Sequence, residues 1–121
     1  MIIINDYMEN DPLSVNNLDK TLDLVDRIRL FNPQKSIWLY TGYEWQHIFD
    51  PQWHYHPQTQ EKLSIGRLRR QQIVSRCNIL VDGRYIDSKQ DRTFPYRGSS
   101  NQRLIDIQQS LQKGEIVLWK V

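Results

Sequence analysis

Cysteine is almost absent from this chain of 121 residues. Cys77 is the only one, so no internal disulfide can form, and the chain's own sulfur cannot hold an iron–sulfur cluster, which takes three or four thiolates. Charge of one sign is also scarce. Sixteen Lys and Arg stand against 14 Asp and Glu, a net charge of +2, which is too small to argue for nucleic acid. No apolar run reaches the roughly 18 residues that would cross a bilayer. Met1-Ile2-Ile3-Ile4 passes straight into Asn5 and Asp6, without the basic start or the length of a signal peptide. These absences lead to the expectation of a cytoplasmic protein with no nucleic-acid and no membrane partner.

What is present suits one domain over residues 1–121. The chain is 39% hydrophobic and 25% charged, with four Trp and six Tyr, enough for one modest core. Ile2 to Ile4 reads as a short strand. Leu18, Leu22, Val25 and Phe31 recur at helical spacing, with Ser14 or Asn17 as cap and Pro33 as terminator. Ser36 to Thr41, closed by Gly42, and Asn78 to Asp82, closed by Gly83, are apolar runs of the kind buried in parallel sheets. Tyr43 to Phe49 suggests a short helix, and Arg67 to Arg76 a basic one. Ser99-Ser100-Asn101-Gln102 fits a capping box, which predicts a helix with Leu104, Ile107 and Leu111 inward, ended by Gly114. Glu115 to Trp119 then reads as a last strand. The alternation predicts an α/β layer with about three parallel strands plus a C-terminal strand.

Several clusters invite chemistry. His54-x-His56, with His47 seven residues earlier, could suggest a metal, but the flanking Trp53, Tyr55 and Pro57 fit an aromatic insertion loop better, so no metal site is assigned. Arg67, Arg69, Arg70 and Arg76 read as a solvated basic helix face. Cys77 precedes a buried strand and reads as a packed, inert thiol. No Ser–His–Asp, P-loop or paired-carboxylate arrangement is present, and no catalytic residue is assigned.

Four blocks together carry a resemblance: Asp11-Pro12-Leu13, Ile37-Trp38-Leu39-Tyr40-Thr41-Gly42-Tyr43, Leu80-Val81-Asp82-Gly83-Arg84-Tyr85, and Arg97-Gly98-Ser99-Ser100-Asn101-Gln102-Arg103. In that order they resemble the activating proteins of anaerobic ribonucleoside-triphosphate reductase, over about residues 11–121. The resemblance implies the C-terminal half of a partial radical S-adenosylmethionine (βα) barrel. It implies a family that uses a 4Fe-4S cluster and S-adenosylmethionine to place a glycyl radical on the large reductase subunit, its partner. It also implies cofactor contacts from Asp11, Pro12, Thr41, Gly42, Tyr43 and Asp82, and partner or anion contacts from Arg97, Gly98, Ser99, Ser100, Asn101, Gln102 and Arg103.

The chain departs from the family in two places. The Cys-x-x-x-Cys-x-x-Cys loop is missing, and the family's Gly-Gly-Asp-Pro or Gly-Gly-Glu-Pro segment stands here as Glu9-Asn10-Asp11-Pro12. Residues 1–10 therefore lie outside the resemblance. The expectation is an apparent C-terminal fragment that binds no cluster and is inactive alone, with a reductase-docking or complementing module, or a gene remnant, as alternatives. A half barrel is also expected to leave strand edges and apolar faces uncovered.

Overall fold

A computed structural model describes residues 1–5 and 11–120. The Glu9 and Asn10 substitutions for the family's glycines lie outside the described residues. The elements run β1 (Ile2–Ile4), α1 (Leu18–Phe31), β2 (Ile37–Thr41), α2 (Trp45–Phe49), α3 (Arg67–Ser75), β3 (Ile79–Asp82), β4 (Arg103–Asp106) and α4 (Ile107–Lys113). They form a mixed α/β structure around one four-stranded sheet of order β1-β2-β3-β4. The first three strands are parallel and β4 is antiparallel to β3.

The pleat sorts the side chains. Ile37, Leu39, Leu80 and Ile105 point to one face, where they meet Leu18 and Val25 of α1, Ile48 of α2, Ile73 and Val74 of α3 and Ile107 of α4. Trp38, Ile79, Val81 and Leu104 point to the other. Among the described residues no helix covers that second face. Phe94, Tyr96 and Trp119 do, with the Trp38 ring centroid 5.1 Å from that of Tyr96 and 4.9 Å from that of Trp119. The apolar face expected to be bare is thus closed over β2–β4 by the chain's own aromatics. Among the described residues the outer edge of β1 is unpaired, and Ile3, in register with Trp38, stays half exposed.

Two expectations fail at the C-terminal end. The segment after Gln102 is a strand where a helix was expected, because Leu104 and Ile105 lie opposite Val81 and Leu80 and Arg103 lies opposite Asp82. Strand pairing outweighs the local helix signal. The capping box is half real. Gln102 Oε1 accepts from the backbone N–H of Ser99 (3.0 Å), yet the helix begins only after Asp106, whose carboxylate accepts from Gln109 N (3.1 Å). The fourth strand of the sheet is therefore Arg103–Asp106. Glu115 to Trp119 runs beside it as a strap, held by Asp106 N to Val117 O and Trp119 N to Leu104 O, both 2.8 Å. At the other end, Asn17 precedes α1 but makes no side-chain cap; its amide donates to Asp11 O instead (2.9 Å).

The basic helix α3 differs most from expectation. Arg70 is fully buried. Its Nε donates to Leu13 O (2.8 Å), Nη1 to Ile65 O (3.0 Å), and Nη2 to Glu61 Oε1 (2.8 Å) and the Tyr43 hydroxyl (3.1 Å). The Tyr43 hydroxyl in turn donates to Glu61 Oε2 (2.5 Å). One guanidinium thus joins α3 to three loops. Arg70→Met leaves Glu61 without its counter-charge, and the expected loss is about 3 kcal/mol in urea unfolding. Adding Glu61→Gln should recover part of it. A single-variant loss below about 1 kcal/mol would show that this junction is peripheral.

Candidate functional site at the strand ends

Because β1, β2 and β3 are parallel, their C-terminal ends gather at one edge of the sheet, where ligands of open α/β folds bind. That edge holds a cleft of about 430 Å³ lined by Asp11, Thr41, Gly42, Gly83, Arg84 and Gln102, with Asn5, Tyr40, Tyr85 and Gly98 around it. A second hollow of about 330 Å³ adjoins it and adds Ser14, Tyr43, His56, Thr59 and Glu61. Asp11, Gly42 and Arg84 line both.

Asp11 fixes the floor. Its Oδ1 accepts from Leu13 N (2.8 Å) and Thr41 Oγ1 (2.7 Å), and its Oδ2 from Gly42 N (2.6 Å). The carboxylate ties the Asp11-Pro12 turn to the end of β2, and Pro12 O accepts from the buried Thr21 hydroxyl (2.8 Å). A Cβ at Gly42 would sit 3.1 Å from Arg84 Cγ and 3.3 Å from Asp11 Oδ2, so glycine lets the Arg84 stem cross the strand end. Gly83 turns the chain at φ +101°, a region L side chains rarely enter.

Asp82 is fully buried. Its Oδ2 accepts from Trp45 N (2.8 Å) and from Arg103 Nη2 (2.6 Å), and its Oδ1 from Arg103 Nε (3.0 Å). The pair is bidentate, and bonding to Asp82 raises the Arg103 pKa. Tyr43 is likewise buried, and burial together with its bond to Glu61 pushes its hydroxyl pKa up.

The 97–103 segment spends its polar groups internally. Gln102 Oε1 accepts from Gly98 N (2.9 Å) and Ser99 N, and Gln102 Nε2 donates to Gly83 O (3.0 Å). Asn101 Nδ2 donates to Arg84 O (2.9 Å), and the Ser99 hydroxyl donates to Asn101 Oδ1 (2.6 Å). Ser100 N donates to Lys89 O (2.8 Å). Arg97 pairs with Asp91 at 2.9 Å. Arg84 is different. Among the described residues its guanidinium has no ion pair and no hydrogen bond, and it stands as an unpaired cation over the cleft.

The histidines separate. His47 and His56 are buried with ring centroids 4.8 Å apart, and His54 is exposed. His47 Nδ1 accepts from Glu44 N (3.1 Å), and His56 Nδ1 accepts from Gln58 N (3.2 Å) and Thr59 N (3.3 Å). A neutral imidazole that accepts at Nδ1 carries its proton on Nε2, so neither ring turns a metal-binding lone pair on Nε2. His47 Nε2 is buried without a hydrogen-bond partner, 3.8 Å from Glu44 Oε2. Among the described residues no group of three or more His, Cys, Asp or Glu could hold a metal ion. Cys77 is buried, its thiol donates to Ile73 O (3.3 Å), and burial pushes its pKa up to about 12.

Of the residues the sequence singles out, Asp11, Thr41 and Gly42 line the cleft while Asp82 lies buried beside it; the Arg70 junction and Arg84, unpaired among the described residues, are not singled out. The first left a signal. Arg70, Ile73 and Val74 fall at spacing 0, 3 and 4 on α3, with Cys77 at 7 just beyond its end, the pattern of a buried stripe. Arg84 left none, because its lack of a partner is a property of the assembled edge.

A family profile described as a 4Fe-4S single cluster domain matches residues 10–105. The anaerobic ribonucleoside-triphosphate reductase-activating protein of Escherichia coli is 36% identical over 92 residues, covering 76% of this chain and 48% of the relative. Its namesake in Vibrio cholerae is 33% identical over 92 residues with the same coverage. That of Enterobacteria phage T4 is 27% identical over 94 residues, covering 78% of this chain and 47% of the relative. The chain spans about half the length of the curated relatives it matches. No solved structure matches it. Among the described residues no helix is long and apolar enough to cross a membrane.

The buried His47 gives the site a pH signature. Burial first, and then neighbouring His56, pull its pKa from 6.5 down to about 4, with Asp82 opposing and Arg103 assisting. The unfolded state therefore binds the extra proton between those values. This contribution to stability is complete above about pH 6.5 and is lost as pH falls toward 4. The urea midpoint should drop between pH 7 and pH 5, and His47→Gln should flatten that drop. An equal drop in the variant would place the pH dependence elsewhere.

Proposed function

We propose, from the premise that this chain belongs to the 4Fe-4S single cluster domain family, that it supplies the ligand cleft and the partner surface of an anaerobic ribonucleoside-triphosphate reductase-activating protein and does not supply the cluster. One observation carries the second half of this reading. A 4Fe-4S cluster does not fit the residues present, because Cys77 is the single thiol and it is buried, bonded and hard to ionise. No reductive step is therefore assigned to this polypeptide, and alone it is inactive.

The cleft favours the first half. Asp11, Pro12 and Thr41 shape a rigid floor. Gly42, Gly83 and Gly98 line the cleft, and the missing side chains at Gly42 and Gly98 let Arg84 and Tyr85 pack close against the backbone at its rim. Arg84 offers an unpaired positive charge to a carboxylate. S-adenosylmethionine, which carries a carboxylate and an adenosyl group, suits such a cleft with Tyr43 behind it. Asp82 acts in this reading as a positioning residue, holding Arg103 and the start of α2. The sheet then stands as the C-terminal half of a partial barrel, and the edge of β1, unpaired among the described residues, is where a further strand would add.

The partner in this reading is the large reductase subunit, and the alternative role is that of a non-catalytic docking or complementing module. It is favoured by the self-covered aromatic face, which lets the half fold without its complement.

Anaerobic reconstitution with iron and sulfide tests the proposal. The expected result is no stoichiometric iron, no cluster absorbance and no cleavage of S-adenosylmethionine. Cys77 should resist a thiol reagent in the native state and react fully in urea. A 4Fe-4S spectrum with reductive cleavage by the chain alone would overturn the reading.

A further inference from the structure

The stretch from Arg84 to Gln90 is exposed throughout, followed by partly buried Asp91 and exposed Arg92. An exposed stretch of this length is ordinarily mobile. This one is clamped along its length by the 97–102 segment. Asn101 Nδ2 donates to Arg84 O, and Ser99 Oγ accepts from Ile86 N (3.2 Å). Ser100 N donates to Lys89 O (2.8 Å), and Asp91 N donates to Gly98 O (3.0 Å). The Asp91 carboxylate is tied to Arg97. A Cβ at Gly98 would lie 2.8 Å from Tyr85 Cδ1, so the absence of a side chain there lets the Tyr85 ring settle on the backbone. The Arg-Gly-Ser-Ser-Asn-Gln segment therefore has a job that its own buried polar groups do not show: it presents the neighbouring loop.

What the loop presents is basic and apolar. Arg84, Lys89 and Arg92 have no ion pair among the described residues. Asp91 is neutralised by Arg97, which leaves Asp87 as the loop's one carboxylate without a cation; it accepts from the Tyr85 hydroxyl (3.1 Å). Tyr85 is 49% exposed and Ile86 37%. Arg84 and Tyr85 also line the cleft, so whatever sits on the loop sits at the cleft's mouth. Holding such a loop rigid before binding lowers the entropy that a partner must overcome.

We propose that the Arg84–Arg92 loop is the docking surface for the partner protein, and that it takes an acidic segment carrying an apolar side chain, with Lys89 and Arg92 on the carboxylates and Tyr85 and Ile86 on the apolar group. Charge complementarity selects this occupant over a neutral one. The assignment rests on the docking reading above and moves its contacts from the 97–103 segment to the loop that segment holds.

The test uses the full chain and the large reductase subunit, with affinity measured at about 0.05 M and about 0.2 M salt. Lys89→Glu with Arg92→Glu should weaken binding about tenfold or more at the lower salt and flatten the salt dependence, while the urea midpoint stays unchanged. Lys35→Glu with Lys113→Glu, the same change in charge at exposed sites outside the loop, should bind as the parent does. In a second arm, amide shifts are followed by NMR during titration with a synthetic Glu- and Leu-containing peptide and its Gln counterpart. The acidic peptide should move the Tyr85–Arg92 resonances and the neutral one should not. Equal affinity of the parent and the loop variant overturns the loop assignment and leaves the docking reading standing. No binding by the parent overturns the docking reading, and the assignment with it. Shifts that appear away from the loop, or with both peptides, overturn the recognition of acidic groups.

Discussion

The fold depends on a charge placed where charge is costly. A guanidinium without water must have its donors satisfied, and Arg70 meets that demand through Leu13 O, Ile65 O, Tyr43 and Glu61. These partners come from the turn before α1, the loop before α3 and the turn after β2. Three segments without regular structure are thereby brought to one point behind the strand ends. The Asp11 turn is positioned from both sides, by its carboxylate on β2 and by Arg70 on Leu13. The geometry of the cleft floor follows from an interaction that is not itself in the cleft floor.

The sequence made the parallel strands and α1 legible because their signals are local. Ile37–Thr41 and Ile79–Asp82 are short apolar runs closed by glycine, and α1 shows a helical stripe ended ahead of Pro33. Residues 99–106 were not legible, because a genuine local cap geometry at Ser99 and Gln102 is followed by a strand warranted by its neighbours, β3 on one side and the 115–119 strap on the other. Burial of Arg70 required knowing that its acceptors converge, and all four come from loops. At the site, Thr41, Gly42 and Asp82 could be placed at an edge from strand polarity alone. That Asp82 turns inward to Arg103 and that Arg84 has no partner among the described residues depends on side-chain geometry that a single chain of letters does not carry.

The two faces of the sheet are covered by different means. Four helices close one face, and loop aromatics with a C-terminal strap close the other over three strands. This division explains how about half the length of the relatives can form a sheet with a real second core. Within the sheet it leaves β1 the least covered strand, with Ile3 half open and, among the described residues, the outer edge unpaired.

The strap has an optical consequence. Trp119 meets Trp38 nearly edge-on, with 4.9 Å between ring centroids and 75° between planes. Indoles so close and so inclined couple their electronic transitions, and the coupling vanishes with separation. Attachment of the last residues to the sheet is therefore written into the near-ultraviolet dichroism of the unlabelled chain, as a signal distinct from that of the helices.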